Sequence, residues 1–249
     1  MKTFTSAFRV LLLALLLLFC LVVAAPARLL APILPPGQVL MQGYSGTLWE
    51  GKASRCLVKT PAGYLHLGAV GWRLDPWSLL RFAPRLVLDA QWGAQTLAAE
   101  LVLRGVGDVD LGEVAVQFPA DLLRQFVPVN LTGTFSLQIE QLLIRGGLPT
   151  AGSGRLLWQA GGWNSPSGPV PLGSYALDLN QPRGAPAEGV VLTLAGPVKA
   201  DGRAQLQGNS YAIDIVLRSE HWDERLQQAL SLVAGPTDEG YRIKLDGEF

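Results

Sequence analysis

The sequence predicts a mainly β protein. A single membrane-spanning anchor comes first, and a larger domain follows. That domain is a curved antiparallel sheet with a few short helices and one longer helix near residues 219–234. Three observations carry this expectation. Val10 to Ala25 reads VLLLALLLLFCLVVAA, sixteen positions with no charge and no polar side chain except the Cys20 thiol. Beyond Gly37, apolar residues recur with a period of two, the spacing of strands with one dry face. The 28 glycines and 17 prolines then punctuate these runs at short intervals, as hairpin turns do.

The leading stretch divides into a short head (residues 1–9), an anchor (10–27) and a proline-rich neck (28–37), ahead of the β domain (38–249). Lys2 and Arg9 precede the apolar run, and the first acid of the chain is Glu50. A basic head before an unbroken apolar run leaves the start of the chain in the cytoplasm and commits the rest to the far side. Sixteen helical residues cover about 24 Å, short of a hydrocarbon core of about 30 Å. Ala7 and Phe8 extend the run at the front, and Pro26 and Ala27 at the back; tilt and bilayer thinning absorb the rest. Val10, Leu15, Cys20 and Ala25 mark the span. A cleaved signal peptide is the rival reading, because Ala25-Pro26-Ala27 is an A-x-A triplet. The proline inside the triplet favours the uncleaved anchor. Cys20 follows Phe19, where a lipoprotein cysteine wants a small residue, and reads as a membrane-buried thiol.

From the end of the anchor through the neck, Pro26, Pro32, Pro35 and Pro36 exclude a long helix. A short turn between Pro26 and Ala31 fits the lipid surface, with Leu29, Leu30, Ile33 and Leu34 in the headgroup boundary and Arg28 at the phosphates. A stiff spacer packed on the domain is the alternative.

Strand-like runs then follow in order. Val39–Met41 and Cys56–Val58 flank the stretch Gly43–Ala53. Next come Tyr64–Leu74, Arg85–Trp92, Thr96–Leu103, Asp108–Phe118 and Leu131–Ile144. Gly154–Ala160, Tyr175–Asn180, Val190–Ala195, Val198–Gln207, Tyr211–Arg218 and Tyr241–Leu245 complete the set. Val114, Val116 and Phe118 alternate with Glu113, Ala115 and Gln117. Leu137 and Ile139 alternate with Ser136 and Gln138, and Ile213, Ile215 and Leu217 with Asp214, Val216 and Arg218. Such patterns place one face of a sheet on a core and the other toward water.

Helix signals are few. Asp75-Pro76 supplies an N-cap and a first-turn proline for a helix of one or two turns. Pro119–Phe126 predicts a second short helix. Over Ser219–Ala234, the spacing of Trp222, Leu226, Ala229, Leu230 and Val233 predicts a longer one, stopped by Gly235-Pro236. Ser45–Gly51, Ser153–Gly161 and Asp201–Gly208 echo one another weakly, as a repeated hairpin unit would.

The search for chemistry returns little. His66 and His221 lack ligand spacing to each other or to Cys56, and a metal site needs three or four clustered ligands. Gly43-Tyr44-Ser45-Gly46 has Thr47 where a nucleophile elbow needs glycine. Gly105-Val106-Gly107-Asp108 leads into a strand, not the helix a nucleotide loop requires. Asp108, Asp110 and Glu113 read as a solvated strand edge. Cys56, the one cysteine beyond the anchor, reads as a small buried hydrophobe and cannot form an internal disulfide. With Lys2 and Arg9 in front of the anchor, the remainder carries slightly more acid than base. That excludes a basic field for nucleic acid. All seven tryptophans lie beyond the anchor and read as wedges in the sheet core. If Trp49 is buried, its replacement by alanine costs about 3–5 kcal/mol.

A resemblance follows from these residues. Gly43-Tyr44-Ser45-Gly46-Thr47-Leu48-Trp49-Glu50-Gly51-Lys52-Ala53, soon after an apolar run and a Leu/Pro neck, resembles protein N of the bacterial type II secretion system. Gly112–Phe118 followed by Leu131-Thr132-Gly133-Thr134-Phe135 fits the same family. The resemblance implies a single-pass inner-membrane protein with its bulk in the periplasm. It implies an accessory subunit of the export machinery, with other secretion subunits (the inner-membrane platform or the secretin) and inner-membrane lipid as partners. The family brings no catalytic residue and no cofactor. Gly43, Ser45, Gly46, Thr47, Leu48, Trp49 and Gly51 are then a structural motif. A second reading remains open: a periplasmic module that shields acyl chains along the apolar face of its sheet.

Overall fold

The computed structural model describes residues 2–32, 34–61, 63–126, 129–165, 168–231 and 234–248, with side chains from residue 11 onward, Ala229 excepted. The fold is mainly β, a fourteen-stranded antiparallel sheet with few helices. Contacts divide it into two compact units, residues 1–90 and 91–249.

The first unit opens with helix α1 (Lys2–Val23) and a 3₁₀ turn at Ala27–Leu30. Strands β1 (Val39–Gly46), β2 (Glu50–Thr60) and β3 (Gly63–Leu74) follow as hairpins. A short helix α2 (Pro76–Leu79) then leads to β4 (Arg85–Trp92). Among the described residues, no helix is long and apolar enough to cross a membrane. Ile33, expected at the lipid surface, lies outside the described residues.

The second unit carries β5 (Gln95–Gly105), β6 (Asp108–Pro119), a 3₁₀ turn at Ala120–Gln125 and β7 (Leu131–Arg145). Then come β8 (Leu148–Ser165), β9 (Gly168–Gln181), β10 (Ala187–Ala195), β11 (Val198–Gln207) and β12 (Ser210–Ser219). Helix α3 (Glu224–Leu230), β13 (Gly235–Thr237) and β14 (Gly240–Glu248) close the chain. Sheet order follows chain order except that β14 lies between β12 and β13.

Alternation fixes the register. In β6, Val114, Val116 and Phe118 are half-buried while Glu113, Ala115 and Gln117 are exposed. A one-residue slip would turn the whole apolar set to solvent. Across the strands the apolar positions form rows. Phe118, Phe135, Trp158 and Tyr175 are successive register partners on β6–β9. Their ring centroids step by 5.5, 5.4 and 5.6 Å. Each such ring pair contributes about 0.5–1.5 kcal/mol beyond its buried area. The polar handles are used: Trp158 Nε1 donates to the Thr132 carbonyl at 2.9 Å, and the Tyr175 hydroxyl to that of Val198 at 2.9 Å. The parallel row Leu97, Val116, Leu137, Leu156, Leu177 and Val191 continues the apolar face. The other face carries cross-strand ion pairs, Arg155–Asp178 and Arg242–Asp214 among them, whose exposure makes each worth little.

One end of the apolar face is covered. Leu226 and Leu230 of α3 pack with Val170, Val198 and Ala234, and Trp222 meets Tyr241 edge-on at 5.0 Å.

Four expectations are corrected. The longer helix at 219–234 is only α3, seven residues long. Ser219 is the last residue of β12, paired to Val198, and Asp223 starts the helix by accepting the Arg225 N–H at 2.9 Å. Trp222 therefore precedes the helix, and Val233 lies outside the described residues. Strand β8 runs well past both ends of the expected Gly154–Ala160. Ala160 sits at φ 49° where the register shifts between Trp158 and Gly161, so the Gly161-Gly162 pair lies in a bulge and does not end the strand. The three echoed stretches do not share a structure: Ser45–Gly51 spans a hairpin turn, whereas Ser153–Gly161 lies inside one strand. Tryptophans are not uniformly core: Trp72 is buried, but Trp77 and Trp92 are exposed.

Burial pushes the Tyr175 phenol up to about 12 from its ordinary value of 10.0. The folded state therefore holds this proton more tightly than the unfolded chain. The stability tied to the neutral phenol is complete below pH 10 and is lost as pH rises toward about 12. Urea unfolding across that window should show a steeper loss for the native chain than for Tyr175→Phe; identical slopes would refute the burial of this hydroxyl.

Candidate functional site

The sequence motif at residues 43–51 forms the tip of the β1–β2 hairpin. Gly46 pairs with Gly51, Ser45 with Lys52 and Tyr44 with Ala53. Gly46 has φ +83°, and a Cβ there would lie 2.6 Å from the Glu50 carbonyl oxygen, so only glycine fits. Thr47 locks the turn. Its N–H donates to the Glu50 carbonyl at 2.8 Å, and its Oγ1 accepts the Glu50 N–H at 3.1 Å.

This tip reaches the end of α1. The last carbonyls of any helix lack intrahelical donors. Here the Trp49 indole Nε1 donates to the Val22 carbonyl at 2.8 Å, and the Leu48 N–H donates to that of Ala25 at 2.8 Å. Pro26 and Thr47 form an isolated antiparallel bridge. A second tryptophan braces the tip from behind: Trp72 Nε1 donates to the Leu48 carbonyl at 3.0 Å. Trp72 faces Gly51, where a Cβ would sit 2.5 Å from its Cζ2. The motif glycines thus serve two needs, a left-handed turn and room for a buried indole.

Below the tip lies a small core. Ala27, Ala53 and Trp72 are buried, with Leu30, Met41, Tyr44, Leu86 and Leu88 packed around them. The 3₁₀ turn of the neck is seated on the sheet through Ala27 and Leu30, and Leu29 stays exposed. Tyr44 meets Trp72 edge-on at 6.3 Å. Burial raises the Cys56 thiol above its ordinary range. Burial, and then the nearby Cys56, raise Tyr44. Neither group is activated as a nucleophile. The Arg55 guanidinium donates to His66 Nε2 at 3.1 Å, which makes that nitrogen an acceptor. Among the described residues, no group of three or more His, Cys, Asp or Glu side chains is placed to hold a metal ion.

The structure therefore gathers Gly46, Thr47, Leu48, Trp49 and Gly51 around the C-terminal end of α1. Ser45 flanks them with a long 3.5 Å contact to the Lys52 carbonyl, and Gly43 lies three residues back in β1 at φ +68°. Val10, Leu15 and Cys20 lie within α1, and Ala25 just beyond it. Trp49 is half-buried rather than buried. Trp72, read from the sequence as a core wedge, is buried as expected, but its place behind the hairpin tip was not foreseen. Its signal was the glycine directly across the hairpin, a space with nothing in the sequence to say what fills it.

Comparison with known proteins gives one consistent family. Residues 37–244 match the family model described as type II secretion system (T2SS), protein N. The chain is 32% identical over 170 residues to type II secretion system protein N of Aeromonas hydrophila, covering 64% of each chain. It is 26% identical over 243 residues to the protein of the same name from Vibrio cholerae, covering 90% of each. The match thus spans a little under two thirds of the Aeromonas relative and most of the Vibrio one. No solved structure matches the chain significantly.

Three substitutions separate the parts of the junction. Trp49→Phe keeps a ring and removes the donor to Val22, and should cost about 1 kcal/mol in urea unfolding of the detergent-solubilised chain. Because Trp49 is half-buried, Trp49→Ala should cost about 2–3 kcal/mol rather than the fully buried figure. Gly51→Ala drives a methyl into the buried Trp72 ring and should cost about 1–3 kcal/mol. Unchanged unfolding midpoints would refute the junction as a stabilising contact.

Proposed function

Because the chain belongs to the protein N family of the type II secretion system, we propose that it is a non-catalytic accessory subunit of that system. It is anchored in the inner membrane by α1, with the β domain in the periplasm, and it contributes to protein export across the outer membrane. What carries this reading is the junction: the family's hairpin motif holds the end of an apolar helix, so the sheet takes its position from the anchor. The leucines of α1 from Leu11 to Leu18 are exposed on every side of the helix, which water does not favour and lipid does. Beyond its basic head, α1 runs unbroken and apolar from Val10 to Val23, about 21 Å at the helical rise, and tilt and bilayer thinning absorb the shortfall against a core of about 30 Å. The basic head places the start of the chain in the cytoplasm. An anchored sheet meets its partners, the inner-membrane platform or the secretin, at a raised effective concentration. The terminal strands β1 and β13 offer edges for strand addition.

The half-exposed rows of Leu97–Val191 and of Phe118–Tyr175 favour one second reading, a groove that shields acyl chains. Lipid that co-purifies with the second unit in the absence of detergent would support it.

Cell fractionation tests the main reading. The chain should stay with membranes after alkaline carbonate treatment and begin at or next to Met1. Loss of the chain should lower export of a folded substrate several-fold, with its export restored by the native chain and not by one lacking residues 2–24. A soluble species starting near Arg28, or export unaffected by its loss, would overturn the proposal.

A further inference from the structure

The turn that follows β3 is built unlike the rest of the first unit. Its apolar side chains point outward: Trp77 is 73% exposed, Leu80 72% and Phe82 91%. The turn is nevertheless closed by its own hydrogen bonds. Asp75 caps α2 by accepting the Trp77 N–H at 3.0 Å. Buried Ser78 ties both ends, its hydroxyl donating to the Asp75 carbonyl at 2.5 Å and accepting the Arg85 N–H at 2.8 Å. The helix ends in a left-handed residue, with Phe82 N–H on Leu79 O at 3.0 Å and Ala83 N–H on Ser78 O at 3.2 Å. That pair of bonds normally closes on glycine. Here the residue is Phe82, at φ 52°. A bulky side chain in this conformation is disfavoured, and its full exposure to water is disfavoured again. An apolar surface that receives the ring removes the second penalty.

The location names the receiver. The Leu74 N–H, at the end of β3, donates to the Trp49 carbonyl at 2.7 Å, and the Trp49 indole holds the Val22 carbonyl of α1. The turn thus leaves the sheet about one strand spacing, roughly 5 Å, from the backbone of Trp49, the residue whose indole reaches the end of the apolar helix. Between Asp75 and Asp89 the charged residues are Arg81 and Arg85. Exposed Trp, Leu and Phe beside Arg is the composition that settles at a bilayer interface, where rings sit at headgroup depth and guanidinium groups meet phosphates.

We infer that the turn Trp77–Phe82 is a second membrane contact, a wedge seated in the headgroup region of the bilayer that α1 spans. It fixes the tilt and rotation of the first unit on the membrane, which a single helix leaves free. The inference rests on α1 as the anchor.

The test uses the full chain with Cys20→Ala and Leu80→Cys, labelled with an environment-sensitive fluorophore. Cys56, at 1% exposure, is shielded from the label. A control carries the label at Lys59→Cys, exposed in the same unit near the end of β2 opposite its Glu50 end. Both are reconstituted into vesicles of phosphatidylethanolamine and phosphatidylglycerol, with or without lipid bearing a nitroxide near the top of its acyl chain. The labelled turn should lose about half its fluorescence to the nitroxide, the depth expected of an interfacial segment, and the control almost none. Adding Trp77→Ser and Phe82→Ser should restore most of the signal. Vesicle-bound protein quenched equally weakly at both positions would overturn the wedge and leave the anchor standing. Quenching that survives the double substitution would also overturn it, since the dye itself would be the cause. Protein that fails to float with the vesicles would overturn the anchor, and the wedge with it.

Discussion

The last carbonyl oxygens of a helix lack intrahelical donors and must find them elsewhere. This chain supplies the donors from a hairpin tip: Trp49, 27 residues beyond Val22, gives an indole N–H, and Leu48 gives its backbone N–H to Ala25. The constraint runs in both directions. The tip can reach the helix only if the turn is tight, which demands the left-handed Gly46 and the Thr47 lock. It stays in place only if something supports it from behind, which is the buried Trp72 opposite Gly51. The neck is then short-circuited: its prolines need not carry the sheet, because the hairpin does.

From that fixed end the sheet grows by one hairpin after another, each strand paired with its neighbour in sequence until β13 and β14 exchange places. Within the second unit, cohesion comes from rows that run across strands. The stacked Phe118, Phe135, Trp158 and Tyr175 are the plainest case, with α3 sealing one end of the same apolar face. Among the described residues, no three His, Cys, Asp or Glu side chains converge to hold a metal ion.

Much of the sheet was legible because side-chain alternation is a local property. Arg85–Trp92 and Val198–Gln207 can be read off the sequence to the residue, and Asp75-Pro76 announced α2. Misreadings arose where two rules gave the same pattern. Trp222, Leu226 and Leu230 have helical spacing, yet Trp222 reaches the same cluster from the loop before α3, so the apolar positions overstated the helix. Glycines at 161 and 162 look like a strand end and are a bulge. The junction was half legible. The Ser45–Gly51 motif stood out and carried the family, but its contact with Val22 and Ala25 is a tertiary pairing that periodicity does not encode. The exposure of Trp77 and Phe82 was hidden for the opposite reason: composition counts aromatics as core until a structure shows which way they face.

The family relationship places this chain among the protein N members of the type II secretion system, and the junction ties its sheet to the end of α1. Amide hydrogen exchange at Leu48, followed by NMR on the full chain in lipid, addresses that point most directly. A capped terminus predicts that this turn amide is protected to the level of the neighbouring β2 amides, and that Trp49→Phe weakens it. Exchange at the rate of an open turn, while the flanking strands stay protected, would contradict a hairpin that holds the helix.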